Sequence, residues 1–250
     1  DINILAAQNT QNMTGSSKSS SASIGASINL NGDISINASV SGGKGKSNGQ
    51  VVENVESLVT ARDTLTIESG KDTNIIGSQV AGNTVVADIG GDLNIESLQD
   101  KDNYHEKNSN WNAGGSISAT GVPSFSGGAS QQKIDSTYSS VNEQAGIYAG
   151  TGGFDITVVG NTDLKGAVID SKAEADKNKL STDTISYSDI KNEAEWSAET
   201  KGANIGLGGG TDEKDKGITP NFAGSKGEDD STTKSAIATG EIEIRSDEGK

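Results

Sequence analysis

The run Ala22-Ser23-Ile24-Gly25-Ala26-Ser27-Ile28-Asn29-Leu30-Asn31-Gly32-Asp33-Ile34-Ser35-Ile36-Asn37-Ala38-Ser39-Val40 decides the fold class. Every even-numbered residue in it is apolar or glycine, and every odd-numbered one is polar or glycine. A period of two is strand alternation with one dry face; a helix would scatter the same residues around its circumference. Asn31-Gly32 marks a turn in the middle. A two-residue loop would pair Leu30 with Asp33 and mix apolar with polar side chains on one face. An odd loop, Asn31-Gly32-Asp33, built as a type I turn with a glycine bulge, pairs Leu30 with Ile34, Ile28 with Ile36 and Ala26 with Ala38. The candidate functional surface is therefore the apolar hairpin face Ile24, Ile28, Leu30, Ile34 and Ile36. Such a face is expected to rest against the body of the protein.

Outward from this run, apolar residues are sparse but regularly placed. Leu, Ile, Val and Phe number 48 of 250 residues, so composition alone would suggest disorder. Ile outnumbers Leu 23 to 9, which points instead to a thin core of β-branched side chains. Net charge is −15 and arginine occurs only at Arg62 and Arg245, which argues against a nucleic-acid partner. Cysteine is absent, which excludes disulfides and thiolate metal sites. The chain opens at Asp1 within an apparent strand, so it is expected to come from a longer protein with export signals upstream.

Short strand modules recur at Leu65-Thr66-Ile67, Asn74-Ile75-Ile76, Thr84-Val85-Val86 and Leu93-Asn94-Ile95, separated by glycines. Two modules make a rung of about 20 residues, the period of a solenoid. Each strand is too weakly apolar to stand alone, and stacking rungs about 4.8 Å apart pairs every backbone group. The predicted fold is all-β: a right-handed parallel β-helix (β-solenoid) forming a single segment over 1–250. A longer repeat overlies the rungs, because Asp1-Ile2-Asn3-Ile4 matches Asp92-Leu93-Asn94-Ile95, and Asn74-Ile75-Ile76-Gly77 matches Asp163-Leu164-Lys165-Gly166. Each copy carries a Ser/Gly block, predicted to project as a hairpin or loop at 16–48, 114–130 and 197–231. The third is expected to be the loosest, since Asp212-Glu213-Lys214-Asp215 and Glu228-Asp229-Asp230 interrupt it. Trp111 and Trp196, beside these blocks, are expected to anchor hairpin bases.

No catalytic constellation emerges. Gly42-Gly43-Lys44-Gly45-Lys46-Ser47 lacks the first glycine of a phosphate loop, because Val40 stands there; it reads as a flexible charged loop. His105 has no second His or Cys with which to share a metal and reads as a solvated loop residue. Asp100-Lys101-Asp102-Asn103 and the acidic runs lack the glycine and closing glutamate of a calcium loop. Asp155 with Asp163, or Glu193 with Glu195, read as outward strand residues rather than an acid–base pair. No enzyme activity, cofactor or metal is expected.

Three stretches resemble a known family: Ala87-Asp88-Ile89-Gly90-Gly91-Asp92-Leu93-Asn94-Ile95-Glu96-Ser97-Leu98-Gln99-Asp100, the run from Tyr138-Ser139-Ser140-Val141 through Ile147-Tyr148-Ala149-Gly150 to Phe154-Asp155-Ile156, and Ser186-Tyr187-Ser188-Asp189-Ile190-Lys191-Asn192. Together with the ending Thr232-Thr233-Lys234-Ser235-Ala236-Ile237 and Glu241-Ile242-Glu243-Ile244-Arg245, they are similar to the second haemagglutinin-repeat region of CdiA-type contact-dependent inhibition effectors. These are filamentous-haemagglutinin-like exoproteins of two-partner secretion. The resemblance implies a secreted, cell-surface segment that helps carry a C-terminal toxin of the parent chain across a target cell's outer membrane. Its implied partners are that membrane or its proteins, the outer-membrane transporter of the secreting cell and the toxin domain. The rival expectation is an adhesin stalk that binds surface receptors or glycans, for which aromatic platforms would be needed.

Overall fold

Two parallel sheets and one antiparallel sheet make up the computed structural model, which describes residues 1–28, 34–208 and 216–246. The first parallel sheet runs β1 (Ile2–Leu5), β6 (Thr73–Ile76), β8 (Leu93–Glu96), β12 (Asn161–Lys165) and β15 (Thr184–Ser188). The second is built around β11 (Gly146–Val158), which pairs with β7 (Gln79–Ile89), β13 (Val168–Ser171) and β14 (Lys179–Thr182). Around these, β4 (Leu58–Thr60) and β5 (Thr64–Ser69) pair with β7, while β18 (Ala236–Ile237) and β19 (Glu241–Ile244) pair with β13 and β14. No α-helix occurs among the described residues.

The sequence period explains this pairing. Thr73 lies opposite Leu93 and Thr64 opposite Thr84, each 20 residues on, as the chain passes β5, β6, β7, β8 from one parallel sheet to the other and back. Where a hairpin intervenes the step lengthens: Ile2 faces Thr73 and Leu93 faces Thr162, 71 and 69 residues apart. The longer repeat is thus two rungs, and its matched residues fall in one column: Ile2, Thr73 and Leu93 are successive neighbours, as are Asn74, Asn94 and Asp163. Gly77 and Gly166, the matched ends of that repeat, share a left-handed backbone at φ 58° and 56°. A Cβ at Gly77 would also strike Leu98, and one at Gly166 would strike Ile190, so glycine is needed twice over.

The core follows the alternation inside these rungs. Ile75, Ile95, Leu93, Val80, Val85, Ile89, Ile147, Phe154, Ile156, Leu164, Ile169 and Leu180 are fully buried and belong to one cluster between the parallel sheets. Outside, Asn74 Nδ2 donates to Asn3 Oδ1 (2.8 Å) and Asn94 Nδ2 donates to Asn74 Oδ1 (2.9 Å), an amide ladder that ties rung to rung.

The Ser/Gly blocks become three hairpins: β2 (Ala7–Ile28) with β3 (Ile34–Val55), β9 (Asp100–Ser118) with β10 (Pro123–Ser140), and β16 (Ile190–Leu207) with β17 (Lys216–Thr233). They are longer than the blocks that mark them, and they pair side by side in the order β17-β16-β10-β9-β3-β2. At about 3.4 Å per residue the 22-residue strands extend roughly 70 Å from the parallel body. Several expectations are corrected here. Gly42 to Ser47 lie within β3 and His105 lies within β9, so neither is a loop. Strand pairing on both sides supplies the order that a charged Gly/Ser run lacks alone. Glu228 to Asp230 are likewise paired, within β17, with Glu195 to Glu193 of β16; Asp212 to Asp215 lie outside the described residues.

Candidate functional site

The register of the first hairpin sets the site. Ile28 lies opposite Ile34, Ala26 opposite Ile36, Ile24 opposite Ala38 and Ala22 opposite Val40. Apolar faces apolar, as the odd-loop argument requires, but Ile34 pairs with Ile28 and not with Leu30. The expected register is therefore two residues out, and Leu30 and the turn Asn31-Gly32-Asp33 lie outside the described residues. A shift by two preserves the face, so alternation alone does not distinguish the two registers.

The apolar face continues across all three hairpins. Ile36 lies beside Ile117, which lies beside Pro123; one row down, Ala38, Gly115, Phe125 and Leu207 are successive neighbours. The next row reads Ala22, Val40, Ala113, Gly127, Ile205, Ile218, and the one after it Gly42, Trp111, Ala129, Ala203, Pro220. Glycine in these rows makes room for rings. A Cβ at Gly42 would come within 2.7 Å of the Trp111 indole, and one at Gly115 within 3.2 Å of the Phe125 ring. Five rows spaced by two residues give a band roughly 27 Å long measured along the strands.

This band is bare. Ile24 is 85% exposed, Ile36 61%, Phe125 60% and Ile218 69%. The expectation that the face packs onto the body is thus overturned, because the hairpins bury their backbones against one another and project away from the parallel sheets. Trp111 does not anchor a hairpin base, since it lies well along β9 at the lower edge of the band; Trp196 lies nearer the body, on the opposite face beside Gly227.

The opposite face is polar and small. Ser21 and Ser41, Ser23 and Ser39, Ser27 and Ser35, and Ser116 and Ser124 share cross-strand hydroxyl bonds of 2.7 Å. Each pair satisfies one hydroxyl donor without water. At the tip of the second hairpin, Ala119 N–H donates to the Ile34 carbonyl (2.7 Å), and Gly121 adopts φ 80° to close the turn.

Nearer the body the sheet carries charge. Asp135 accepts from Lys133 Nζ (2.8 Å) and is hydrogen-bonded to His105 Nδ1, and these bonds hold its carboxyl below the usual range. On the polar face, Tyr104 donates to Glu106 Oε2 (2.7 Å) and Asn108 to Glu106 Oε1 (2.6 Å), which lowers the Glu106 pKa. At the hairpin base, Glu56 shares a cleft with Glu143; desolvation first, and then the neighbouring carboxylate, raise its pKa. Among the described residues no group of three His, Cys, Asp or Glu side chains could hold a metal ion. No described helix is long and apolar enough to cross a membrane, which says nothing of strands.

Residues 1–113 match the hemagglutinin repeat family. The chain is 42% identical over 255 residues, 98% of its length, to a tRNA nuclease CdiA of Escherichia coli. Its sequence is that of a CdiA-type haemagglutinin-repeat region. It is also 42% identical over 259 residues to a 16S rRNA endonuclease CdiA of Enterobacter cloacae and 39% identical over 260 residues to a deoxyribonuclease CdiA of Yersinia pseudotuberculosis, covering all of this chain in both cases. The chain spans only 8% of the first two relatives' length and 24% of the third's. No solved structure matches it significantly.

The five residues predicted from sequence all come from the first hairpin. Trp111, Ile117, Phe125, Ile205 and Ile218 complete the band, and Phe222 stands one row below it, beside Lys201. The second hairpin announces itself weakly in the alternation Phe125, Gly127, Ala129, whereas lysines and glutamates interrupt the pattern of the third.

Proposed function

We propose that this chain is the membrane-entry segment of a secreted toxin-delivery exoprotein, and that its hairpin sheet helps a C-terminal toxin of the parent chain cross the target cell's outer membrane. In this reading the parallel sheets form a right-handed β-helix within one continuous segment, exposed at the bacterial surface, and the sheet is the part that meets lipid. One observation carries the proposal: a six-stranded antiparallel sheet with one bare apolar face and one face of paired serines. Membrane barrels need strands of about 9–11 residues, apolar on the lipid side and polar on the other, under a band about 25 Å tall. Water is the wrong solvent for such a face, and pairing along the ladder leaves no backbone group for lipid to strand except at β2 and β17, the two edges.

The relatives support a role outside the chemistry. Three proteins named for cutting tRNA, 16S rRNA and DNA are similar to this chain to nearly the same degree, so the named specificity does not follow this segment. Partners on this reading are the target outer membrane, the secreting cell's outer-membrane transporter and the toxin domain, with no enzymatic role for the segment itself.

Deleting the segment from its parent tests the role. The deleted parent should still be secreted and attach to target cells but fail to kill them in a mixed culture. Undiminished killing overturns the translocation reading, and loss of attachment transfers the role to adhesion.

A further inference from the structure

Below the Trp111 row, on the same face as the apolar band, the sheet turns basic. Lys18 lies opposite Lys44 in the next row, and beyond Ser109 and Gln131 that row reaches Lys201. One row further down, Lys46, Lys107 and Lys133 are direct neighbours on three successive strands. All six are exposed. Like charges placed directly opposite each other destabilise a sheet. A chain of net charge −15 has ample carboxylates to break such a run, yet only Glu199 stands in these two rows. The other carboxylates of this face, Asp135, Glu195, Glu228, Glu193 and Asp230, lie nearer the body, most of them on β16 and β17. Lys133 reaches Asp135 and Lys201 reaches Glu199, whereas Lys18, Lys44, Lys46 and Lys107 form no ion pair among the described residues.

We propose that Lys18, Lys44, Lys46 and Lys107 bind the phosphate-bearing headgroups of an anionic lipid surface where the apolar band leaves the hydrocarbon. The inference rests on the membrane-entry reading and adds the lipid charge class and the depth of insertion. The order along each strand is that of an interfacial anchor: apolar rows, then the amphipathic Trp111 ring, then cations about 7 Å further on. A groove of about 810 Å³ beside Trp111, lined also by Lys18, Lys44, Gln131 and Lys201, gives a headgroup room to sit between ring and ammonium groups. Flexible lysine stems let the charge reach the phosphate plane while their methylenes stay along the apolar edge. A positive row amid an acidic molecule orients the sheet tip-first toward an anionic surface, since the remaining charge is repelled from it.

The test is vesicle flotation of the whole 250-residue chain with zwitterionic phosphatidylcholine vesicles and with vesicles containing phosphatidylglycerol. The expected result is roughly tenfold or greater preference for the anionic vesicles at low salt, falling as salt rises. The quadruple variant Lys18→Gln, Lys44→Gln, Lys46→Gln, Lys107→Gln should lose that preference while keeping its binding to zwitterionic vesicles, and the matching Lys→Arg variant should retain the preference. Unchanged preference in the glutamine variant overturns the proposal and leaves membrane entry standing. A second variant, Phe125→Asp, separates the two ideas: if it binds zwitterionic vesicles as the parent does, or the parent binds neither vesicle, the membrane reading fails and this inference with it. Inorganic phosphate added at constant ionic strength should not compete; if it does, the site takes free phosphate and the lipid assignment is overturned.

Discussion

Two isoleucines show how differently one residue type is used in this chain. Ile95 is fully buried between the parallel sheets, whereas Ile24 stands on the bare face at 85% exposure. Ile95→Ala should therefore cost about 2–5 kcal/mol in a denaturant titration, since it leaves a cavity that the rungs close only in part. Ile24→Ala should change stability by less than about 0.5 kcal/mol and weaken vesicle binding instead. Glu56 offers a test that depends on pH. Its carboxyl loses hydration and faces Glu143, so its folded pKa lies above the unfolded one. A raised carboxylate pKa contributes stability that is present below the unfolded pKa and is lost as pH rises through the folded value. Glu56→Gln should accordingly raise the melting temperature at pH 7, and the gain should shrink toward zero near pH 3, where the native carboxyl is protonated. A gain independent of pH would show that packing, not charge, separates the two proteins.

Within one hairpin, what is legible in the sequence is parity. The even residues from Ala22 to Val40 share a face in any register that keeps apolar opposite apolar, so the face can be read while the Leu30–Ile34 pairing predicted from it gives way to Ile28–Ile34. Parity also reaches further than the alternating run: Lys18, Lys44 and Lys46 are even-numbered, on the same strands as Ile24 and Ile36, and so fall on the same face. What cannot be read locally is the association of the hairpins, because Ile36 meets Ile117 only through the stacking of rungs some 70 residues apart. Gly42 records that association. The Trp111 ring of the neighbouring hairpin lies over it, so Gly42→Val must displace the indole or open the seam between β3 and β9. A shift of the Trp111 emission to longer wavelength, with little change in circular dichroism, is the expected outcome; an unchanged spectrum would place the ring elsewhere.

At the scale of the molecule, the 20-residue rung was readable and the joining of three separate insertions into one sheet was not, because each insertion looks self-contained in sequence. The parallel body holds the buried core and the sheet holds almost none of it, so the two should separate energetically. The middle hairpin gives the sharpest test. Asp100 and Ser140 are opposite each other at its base, so a short Gly/Ser bridge can replace residues 101–139 without moving β8 or β11. The body should then keep its cooperative melt, since Thr73 opposite Leu93 and Val85 opposite Phe154 do not involve the excised strands. The sheet should not survive intact: β9 and β10 are the strands that join β3 to β16, and without them the apolar band splits into two two-stranded ribbons, each too narrow to be independently stable. The excised chain should therefore remain folded by thermal denaturation, lose vesicle binding, and, restored to its parent, leave secretion intact while toxin delivery fails. Retained delivery from a chain whose body is folded and whose vesicle binding is lost would reverse the assignment and place the function in the parallel sheets.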